Sequence, residues 1–177
     1  MYVVRYDAAG WGIGELVHDD TRLLYHAHPV PQREIAPNAP QGIPEIPVIT
    51  LSGKRIRGRN GFVSEVLQLL GRYFAGKAVS FDEVPVDLDW CTPFQRALVS
   101  AARAVPRGET VTYGELAALA GRPNAARAAG TFCAQNRFGL IVPCHRVIAA
   151  GGLGSYGSLG LQYKRRLLEL EGADVSL

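Results

Sequence analysis

The most reactive pair of side chains in the sequence lies in the segment IVPCHRVIAAGG, residues 141–152, where Cys144 and His145 are adjacent and follow Pro143. An imidazole beside a thiol can take the thiol proton and leave a nucleophilic thiolate. Arg146 adds a positive charge that favours the thiolate. Cysteines in apolar runs are more often inert core residues, so the segment alone leaves both a reactive thiol and a buried structural cysteine open.

The spacing of this pair limits how it can act. Consecutive side chains of a regular strand point to opposite faces, so contact between Cys144 and His145 requires a turn or a bridging water. Glu171 is the candidate acid to orient the imidazole, because it shares one face of the last helical segment with Lys164 and two leucines. An acid in a last turn opposes the helix dipole, which occurs at functional sites and, more often, at solvated positions.

Two capping boxes predict helices that lead toward these residues. Thr92 and Gln95 form the first, with Pro93 at the first helical position, and this helix should end before residue 106. Thr112 and Glu115 form the second. The short helix that follows should end at a glycine, residue 121.

A third helix is predicted from Asn124, as N-cap, to about residue 135. The second and third helices would then form a helix-turn-helix. The run GLIVP, residues 139–143, has the pattern of a strand. A glycine-rich loop follows, and the last helix should end at Gly172.

Small side chains surround Arg127 in the segment AARAAG, at the start of the third helix. One interpretation is a tightly packed helix with a solvated arginine. The other is a helix that approaches a phosphate backbone or a groove closely, with Arg127 at the positive end of its dipole. The residues leave both open.

The N-terminal part is expected to form a small domain over residues 1–90. Short β-type runs alternate with turn signals over residues 2–29 and predict two or three strands in hairpins. A Pro-rich loop should follow, then one strand with a basic turn near residues 48–60, and a helix over residues 62–76. Residues 79–90 are interpreted as an edge strand or a linker.

Composition indicates an ordinary globular protein: 177 residues are 47% hydrophobic and 20% charged. Apolar runs are too short to span a bilayer and no secretory leader is recognised, so no membrane partner and a cytoplasmic location are expected. Three cysteines without metal-ligand spacing predict neither a disulfide framework nor a metal site. Residues 1–91 carry nine basic and eleven acidic side chains, and residues 92–177 carry ten and five, which hints at an anionic partner.

The order of these motifs resembles the active domain of the O6-alkylguanine-DNA alkyltransferases, over about residues 92–172. The residues that carry the resemblance are TYGELA, NAARAAG, Asn136, IVPCHRVI, Tyr156 after the glycine-rich loop, and LLELEG. It implies an α/β (α+β) protein with two domains. Residues 1–90 would be a sheet-plus-helix, ribonuclease H-like accessory domain, and residues 91–177 a mostly helical domain with the helix-turn-helix and the active site.

The resemblance implies direct-reversal DNA repair without a cofactor. Cys144 would take the alkyl group of O6-alkylguanine, and also of O4-alkylthymine, once and irreversibly. His145, acting through a water and oriented by Glu171, would take the thiol proton. Asn136 would orient the backbone, and Tyr113 would donate a proton to the guanine oxygen.

Other residues would bind the DNA and the extruded base. Arg127, on a helix made narrow by Ala126 and Ala128, would enter the minor groove of a duplex and fill the space of the base. The pocket would be formed by Tyr156 packing on the guanine, the carbonyls of Cys144 and Val147 reading its amino group, and by Pro143, Gly157 and Ser158. The protein would act as a monomer.

Three departures and three alternatives accompany this interpretation. No cysteine precedes Cys91, so the zinc site of some relatives is not expected despite His18, His26 and His28, which are interpreted as surface or satisfied residues. The loop after Tyr156 differs from the family's usual pattern. The additional regulatory four-cysteine domain is not found in this sequence. A lesion-binding protein without chemistry, a cysteine hydrolase and a DNA-binding regulator are the alternatives.

Overall fold

The computed structural model describes residues 1–31, 48–51 and 61–175. The chain divides into two compact units, Met1–Asp87 and Leu88–Leu177. Most of the expected Pro-rich loop, and the basic turn after residue 51, lie outside the described residues. The described elements are β1 (Tyr2–Ala8), β2 (Gly12–His18), β3 (Leu23–Val30), β4 (Val48–Thr50), α1 (Gly61–Phe74), α2 (Pro93–Ala104), β5 (Val111–Thr112), α3 (Tyr113–Leu119), α4 (Ala126–Ala134), β6 (Val147–Ile148) and α5 (Gly160–Glu171).

The first unit is built on a sheet with the strand order β3-β2-β1-β4. β1, β2 and β3 are antiparallel neighbours, as the hairpin prediction expected, and the short β4 runs parallel to β1. Alternate residues of β1 are buried, because successive side chains of a strand point to opposite faces. Gly14 lies opposite Tyr6 in the pairing, and a Cβ there would lie 2.3 Å from the Tyr6 ring, so glycine makes room for the buried tyrosine.

Helix α1 supplies the apolar stripe of the first unit. Its buried residues recur at helical spacing, as expected of a helix here: Val63, Val66, Leu67, Leu70 and Tyr73. At its C-terminal end the Phe74 ring meets the rings of Tyr6 and Trp11, with centroids 6.4 and 5.2 Å away. Residues 79–90 form no named strand, and Val86 makes a single parallel bridge to Leu23.

Two of the three histidines of the first unit, His18 and His26, are buried, and His28 is half-buried. The interpretation of surface residues is therefore wrong for His18 and His26, and each has a hydrogen bond at one ring nitrogen. His18 accepts a hydrogen bond from the Asp20 amide at Nδ1, and the ring of His26 is bonded to the Tyr6 hydroxyl. No group of three or more metal-binding side chains occurs within the described residues.

Capping boxes mark where the first two helices of the second unit, α2 and α3, begin. Both capping boxes are present: Thr92 accepts from the Gln95 amide, Thr112 accepts from the Glu115 amide, and each partner side chain returns the bond. The N-cap of α4 is Ala125 rather than Asn124, so this prediction was wrong. The Ala125 amide donates to the Arg122 carbonyl, which closes a turn around Asn124 and starts the helix later.

Helix α5 ends as predicted at Gly172, which has the left-handed φ of 81° that glycine adopts at little cost. Its buried face consists of Lys164, Leu167, Leu168 and Glu171. Next to it, β5 and β6 form a short parallel pair that joins the start of α3 to the segment after Cys144. A sheet-and-helix unit followed by a mainly helical unit is the mixed architecture expected from the sequence. Within the described residues, no helix is long and apolar enough to cross a bilayer.

Candidate active site

The segment before Cys144 is a turn that the Asn136 side chain holds. Asn136 Nδ2 donates to the Val142 carbonyl at 2.8 Å, and its Oδ1 accepts from the Phe138 amide at 3.0 Å. Leu140 has a positive φ of 65°, which no strand allows. The strand predicted for residues 139–143 is therefore wrong: the apolar residues are buried in a turn, where periodicity cannot tell them from a buried strand.

Cys144, His145 and Arg146 form one 3-10 turn, and all three side chains are buried. The Arg146 amide donates to the Pro143 carbonyl, and the Val147 amide to the Cys144 carbonyl. The turn replaces the alternation of a strand. Contact between the adjacent side chains of Cys144 and His145 was expected to require a turn or a bridging water, and the turn is present.

Glu171 is the centre of a buried ionic group. His145 Nε2 lies 2.9 Å from Glu171 Oε1, and Arg146 donates to both carboxylate oxygens, with Nε 2.8 Å from Oε2 and Nη2 2.9 Å from Oε1. Arg146 Nη1 also donates to the Val105 carbonyl at 2.7 Å. A carboxylate only accepts, so the neutral imidazole carries its proton on Nε2 and has its basic lone pair on Nδ1.

The charges within this group follow from its partners. Burial opposes ionisation of Glu171, but the hydrogen bonds from His145 and Arg146 outweigh it and hold the pKa of Glu171 far below its ordinary value. Burial lowers the pKa of His145 below 6.5, and the opposing effect of Glu171 is smaller. At neutral pH the group is therefore a carboxylate, a guanidinium and a neutral imidazole able to accept a proton.

The Cys144 thiol holds its proton in the resting protein. The neighbouring Cys133 side chain, hydrogen-bonded to it, and burial both raise the pKa of Cys144, while Asn136 and the charge of Lys164 lower it less. The expected contribution of Arg146 to a thiolate is not found, because Glu171 takes up that guanidinium. A nucleophilic thiolate must then be formed during reaction.

Lys164 is the site residue that sequence reasoning missed. It is fully buried, and its Nζ donates to the carbonyls of Val147 and Leu153, each at 2.6 Å. The signal was present, since a lysine shared the buried face of α5 with Glu171. A lysine in a helical stripe is more often an exposed residue at its edge, so its position alone did not indicate this role.

Tyr113 begins α3 and is half-buried beside the cysteines. Burial raises its pKa, the nearby Cys133 and Cys144 add to this, and a hydrogen bond with Ser155 opposes it. A Cβ on Gly154 would lie 3.3 Å from the Tyr113 hydroxyl, so the glycine-rich loop passes close to it. The loop, Tyr113 and Cys144 therefore belong to one neighbourhood.

The residues expected to bind the base are divided between the buried centre and the surface. Pro143 and Val147 are buried, while Tyr156 is half-buried and stacks on Tyr163 with ring centroids 6.4 Å apart. Gly157 and Ser158 are exposed in a second 3-10 turn. The carbonyls expected to read the guanine amino group already accept, from Lys164 at Val147 and from an amide at Cys144, and each keeps a second lone pair.

The residues expected to enter DNA lie at the start of α4. Arg127 and Ala128 are exposed and Ala126 is half-buried. No side-chain hydrogen bond caps this helix end, which carries the positive end of the helix dipole. These residues therefore lie at the surface, on the same helix that carries Cys133 to the buried site.

Comparison with known proteins identifies the family of the chain. The family model described as 6-O-methylguanine DNA methyltransferase, DNA binding domain, matches residues 93–173. A methylated-DNA–protein-cysteine methyltransferase from Methanopyrus kandleri is 42% identical, over 71% of this chain and 94% of that protein. One from Mycobacterium leprae is 46% identical, over 66% and 69%. The chain belongs to the methylated-DNA–protein-cysteine methyltransferase family. The resemblance found in the sequence is confirmed.

Solved structures extend the likeness beyond the matched domain. The Mycobacterium tuberculosis OGT in complex with DNA is 33% identical, with a TM-score of 0.70 over 97% of this chain and 93% of that one. The O6-methylguanine-DNA methyltransferase of Pyrococcus kodakaraensis, at 22% identity and a TM-score of 0.68, shares the fold. The mixed α/β architecture, including the N-terminal unit, is therefore that of the methyltransferase family.

Proposed function

We propose that this methyltransferase-family protein repairs O6-alkylguanine in double-stranded DNA by moving the alkyl group to Cys144. The observation that carries the proposal is the buried turn in which Cys144 is followed by His145, with His145 Nε2 2.9 Å from Glu171 Oε1. A thiol, a neutral imidazole and a carboxylate are the parts of an activated nucleophile. The enzyme would act once per molecule, because a thioether is not hydrolysed by the nearby base.

Proton transfer precedes or accompanies attack in this mechanism. A water between the two side chains would carry the Cys144 proton to Nδ1 of His145, and the Glu171 carboxylate would stabilise the imidazolium. Cys144 Sγ then attacks the alkyl carbon. The bond from that carbon to guanine O6 breaks, and its electron pair stays on the guanine.

Two further residues would support this step. Tyr113 would donate a proton toward the guanine oxygen, since its hydroxyl, whose pKa burial raises, carries that proton at neutral pH. Asn136 would keep the nucleophile in place, since its side chain fixes both ends of the turn before Cys144. The reaction is balanced without a cofactor.

Access to the reacting atom requires the base to leave the helix stack. Arg127, exposed at the start of α4, would enter the minor groove and occupy the space of the extruded base, and Ala126 and Ala128 would allow close approach. The helix pair α3–α4 would act as the helix-turn-helix. Phosphate contacts would make binding sensitive to salt and only weakly dependent on sequence.

The extruded guanine would lie between the buried turn and the glycine-rich loop. Tyr156 would pack on its face, and Gly157 and Ser158 would shape the entrance from the exposed turn. Pro143 would form part of the floor, and the Val147 carbonyl would accept from the guanine amino group with its second lone pair. O4-alkylthymine would be a further substrate of the same pocket.

The remaining proposals concern the whole protein. The C-terminal unit would bind DNA and carry out transfer, the N-terminal unit would be accessory, and the protein would act as a monomer. A reducing cytoplasm suits the three free cysteines, because transfer requires a reduced Cys144.

The test is intact-protein mass after incubation with a duplex that contains one O6-methylguanine, followed by peptide mapping. A gain of one methylene, confined to the Cys144 peptide and stopping at one equivalent, is expected. Cys133→Ser, which changes the neighbouring thiol, should still gain it, and Cys144→Ser should not. An unchanged mass with tight lesion binding would make the protein a sensor, and turnover of a peptide or ester substrate would make it a hydrolase.

The role of Arg127 has its own test. Arg127→Ala should weaken repair of duplex DNA much more than reaction with free O6-benzylguanine, because only the duplex needs an extruded base held out. Arg122→Ala, at another exposed arginine before α4, is the control for general loss of positive charge. Equal losses on both substrates would contradict a role in base extrusion.

A further inference from the structure

Lys164 is an ion buried where ions are costly. Its side chain has no exposed surface, and it lies two helical turns before Glu171 on the buried face of α5. Burying an ammonium is strongly unfavourable unless hydrogen bonds compensate. Both of its acceptors, the carbonyls of Val147 and Leu153, are neutral, so the positive charge is retained in the interior rather than cancelled.

The two carbonyls stand at the ends of one loop. Val147 directly follows the turn that contains Cys144, and Leu153 directly precedes Gly154, the residue that passes the Tyr113 hydroxyl. Between them the chain reverses through a bridge of Ala149 with Gly152. One ammonium therefore ties the segment of the nucleophile to the segment that contacts Tyr113.

The titratable groups that face this ammonium are those of the reaction. Against the larger effect of burial, the cysteines Cys133 on α4 and Cys144 in the 3-10 turn raise the pKa of Lys164. The charge of Lys164 in turn adds to the larger effect of burial in lowering the pKa of His145. Burial lowers the pKa of Lys164 to about 8, so the ammonium form still predominates at neutral pH. Its charge lowers the pKa of Cys144 and opposes the larger effects that raise it.

We propose that Lys164 is a positioning residue of alkyl transfer, whose ammonium fixes the Val147 and Leu153 carbonyls and stabilises the thiolate as it forms on Cys144. The inference rests on the proposed function for its biological meaning, since it concerns the same nucleophile. It assigns the electrostatic role that the sequence suggested for Arg146 to a residue on a different element. Arg146 and Glu171 then orient His145 and stabilise its protonated form, and Lys164 stabilises the thiolate of Cys144.

The experiment measures Cys144 itself, without DNA. Iodoacetamide labelling of the Cys144 peptide is followed against pH in the full-length protein, with wild type beside Lys164→Gln, Lys164→Met and Lys164→Arg. Glutamine keeps amide donors but has no charge, methionine has neither, and arginine restores the charge. Arg166→Met removes one positive charge from an exposed position of the same helix and is the matched control.

A role for the charge predicts that Lys164→Gln and Lys164→Met both label more slowly than wild type below about pH 8, where Lys164 is an ammonium. Labelling at neutral pH should slow by about tenfold for every unit by which loss of the charge raises the pKa of Cys144. The labelling rate of Lys164→Arg should return toward that of wild type. The labelling rate of Arg166→Met should equal that of wild type. Profiles of folded Lys164→Gln that coincide with wild type would overturn the proposal, and thermal unfolding shows which variants are folded. Absence of methyl transfer in wild type would instead remove the proposed function and leave this coupling measurable.

Discussion

Two buried histidines, one in each unit, differ in the partner they face. His26 in the first unit is bonded to the Tyr6 hydroxyl at 2.7 Å, and His145 in the second to the Glu171 carboxylate at 2.9 Å. A hydroxyl donates or accepts, so it leaves the position of the His26 proton open. A carboxylate only accepts, which fixes the proton of neutral His145 on Nε2 and the lone pair on Nδ1.

The surroundings of each pair extend this difference. Tyr6 and His26 are stacked ring on ring in an aromatic layer, and neither brings a fixed charge. Glu171 is held as an anion by Arg146, so His145 has a permanent charge beside it that would stabilise a gained proton. A buried imidazole with a neutral partner supports packing, whereas one with an anchored carboxylate is prepared for proton transfer.

Glu171→Gln should break the second pair with the largest effect. The change leaves the Arg146 guanidinium buried without its anion, which costs roughly 3–5 kcal/mol of the free energy of unfolding. It also removes the charge that orients His145 and stabilises its protonated form, so repair should slow by about 100-fold or more. Urea unfolding and single-turnover repair of an O6-methylguanine duplex measure the two effects.

Glu169→Gln is the matched control, because Glu169 is an exposed acid on the same helix. Its unfolding and its repair rate should stay close to wild type. Repair by Glu171→Gln at the wild-type rate, in protein shown to be folded, would mean that the carboxylate supports structure alone. The two buried histidines would then no longer differ in kind.

Tyr6→Phe should break the first pair without touching repair. It removes the hydroxyl and leaves a buried imidazole nitrogen without its bond, which costs about 1–3 kcal/mol of the free energy of unfolding. Tyr25→Phe, at an exposed tyrosine of β3, should change that free energy by less than about 0.5 kcal/mol. Single-turnover repair well below the unfolding transition should match wild type. A large loss of repair in folded Tyr6→Phe would show that this pair serves the reaction.

Sequence alone predicted the second unit more fully because its signals are local. Capping boxes at Thr92 and Thr112 specify helix starts within four residues, and a glycine at position 172 specifies a helix end. The buried face of α5 follows from 3.6-residue periodicity. Motif order then brought Glu171 into the site with His145, a contact across 26 positions of the chain.

Long-range contacts account for what the sequence did not predict. Asn136 bends residues 139–142 into a turn through bonds that no periodic pattern encodes. The pairing of Arg146 with Glu171, and of Lys164 with two carbonyls, depends on the docking of α5, so the cation beside Cys144 was misassigned. The burial of His26 likewise depends on pairing between strands that sequence places only approximately.

The pH dependence of repair sharpens the assignment of His145 as the base. Its pKa in the folded protein lies below 6.5, so the imidazole stays neutral and competent above that pH. As the pH falls through the folded pKa, protonation removes the base, and the rate constant should fall about tenfold per pH unit. The charged form is also the less stable one in the folded state, so stability declines as the pH drops below 6.5.

The variant Glu171→Gln gives this profile a distinctive signature. Glu171 raises the pKa of His145 against the larger effect of burial, so its loss should move the acid limb of the rate profile to still lower pH. The carboxylate itself does not titrate in this range, because its pKa lies far below the ordinary value. A limb that stays in place in the variant would assign the titration to another group.

Cys133→Ala is expected to have the smallest effect. It tests the premise that the Cys144 thiol carries a proton for His145 to remove. The hydrogen-bonded Cys133 is the first cause that raises the pKa of Cys144, so alanine there should lower that pKa and increase iodoacetamide labelling at neutral pH by up to about tenfold. Cys91→Ala, at another buried free cysteine, should not. In the Cys133→Ala background more thiolate forms without help, so Glu171→Gln should then slow repair less than it does in wild type. Equal losses in the two backgrounds would mean that the carboxylate assists a step other than removal of the thiol proton, and the contrast between the two histidines would rest on orientation alone.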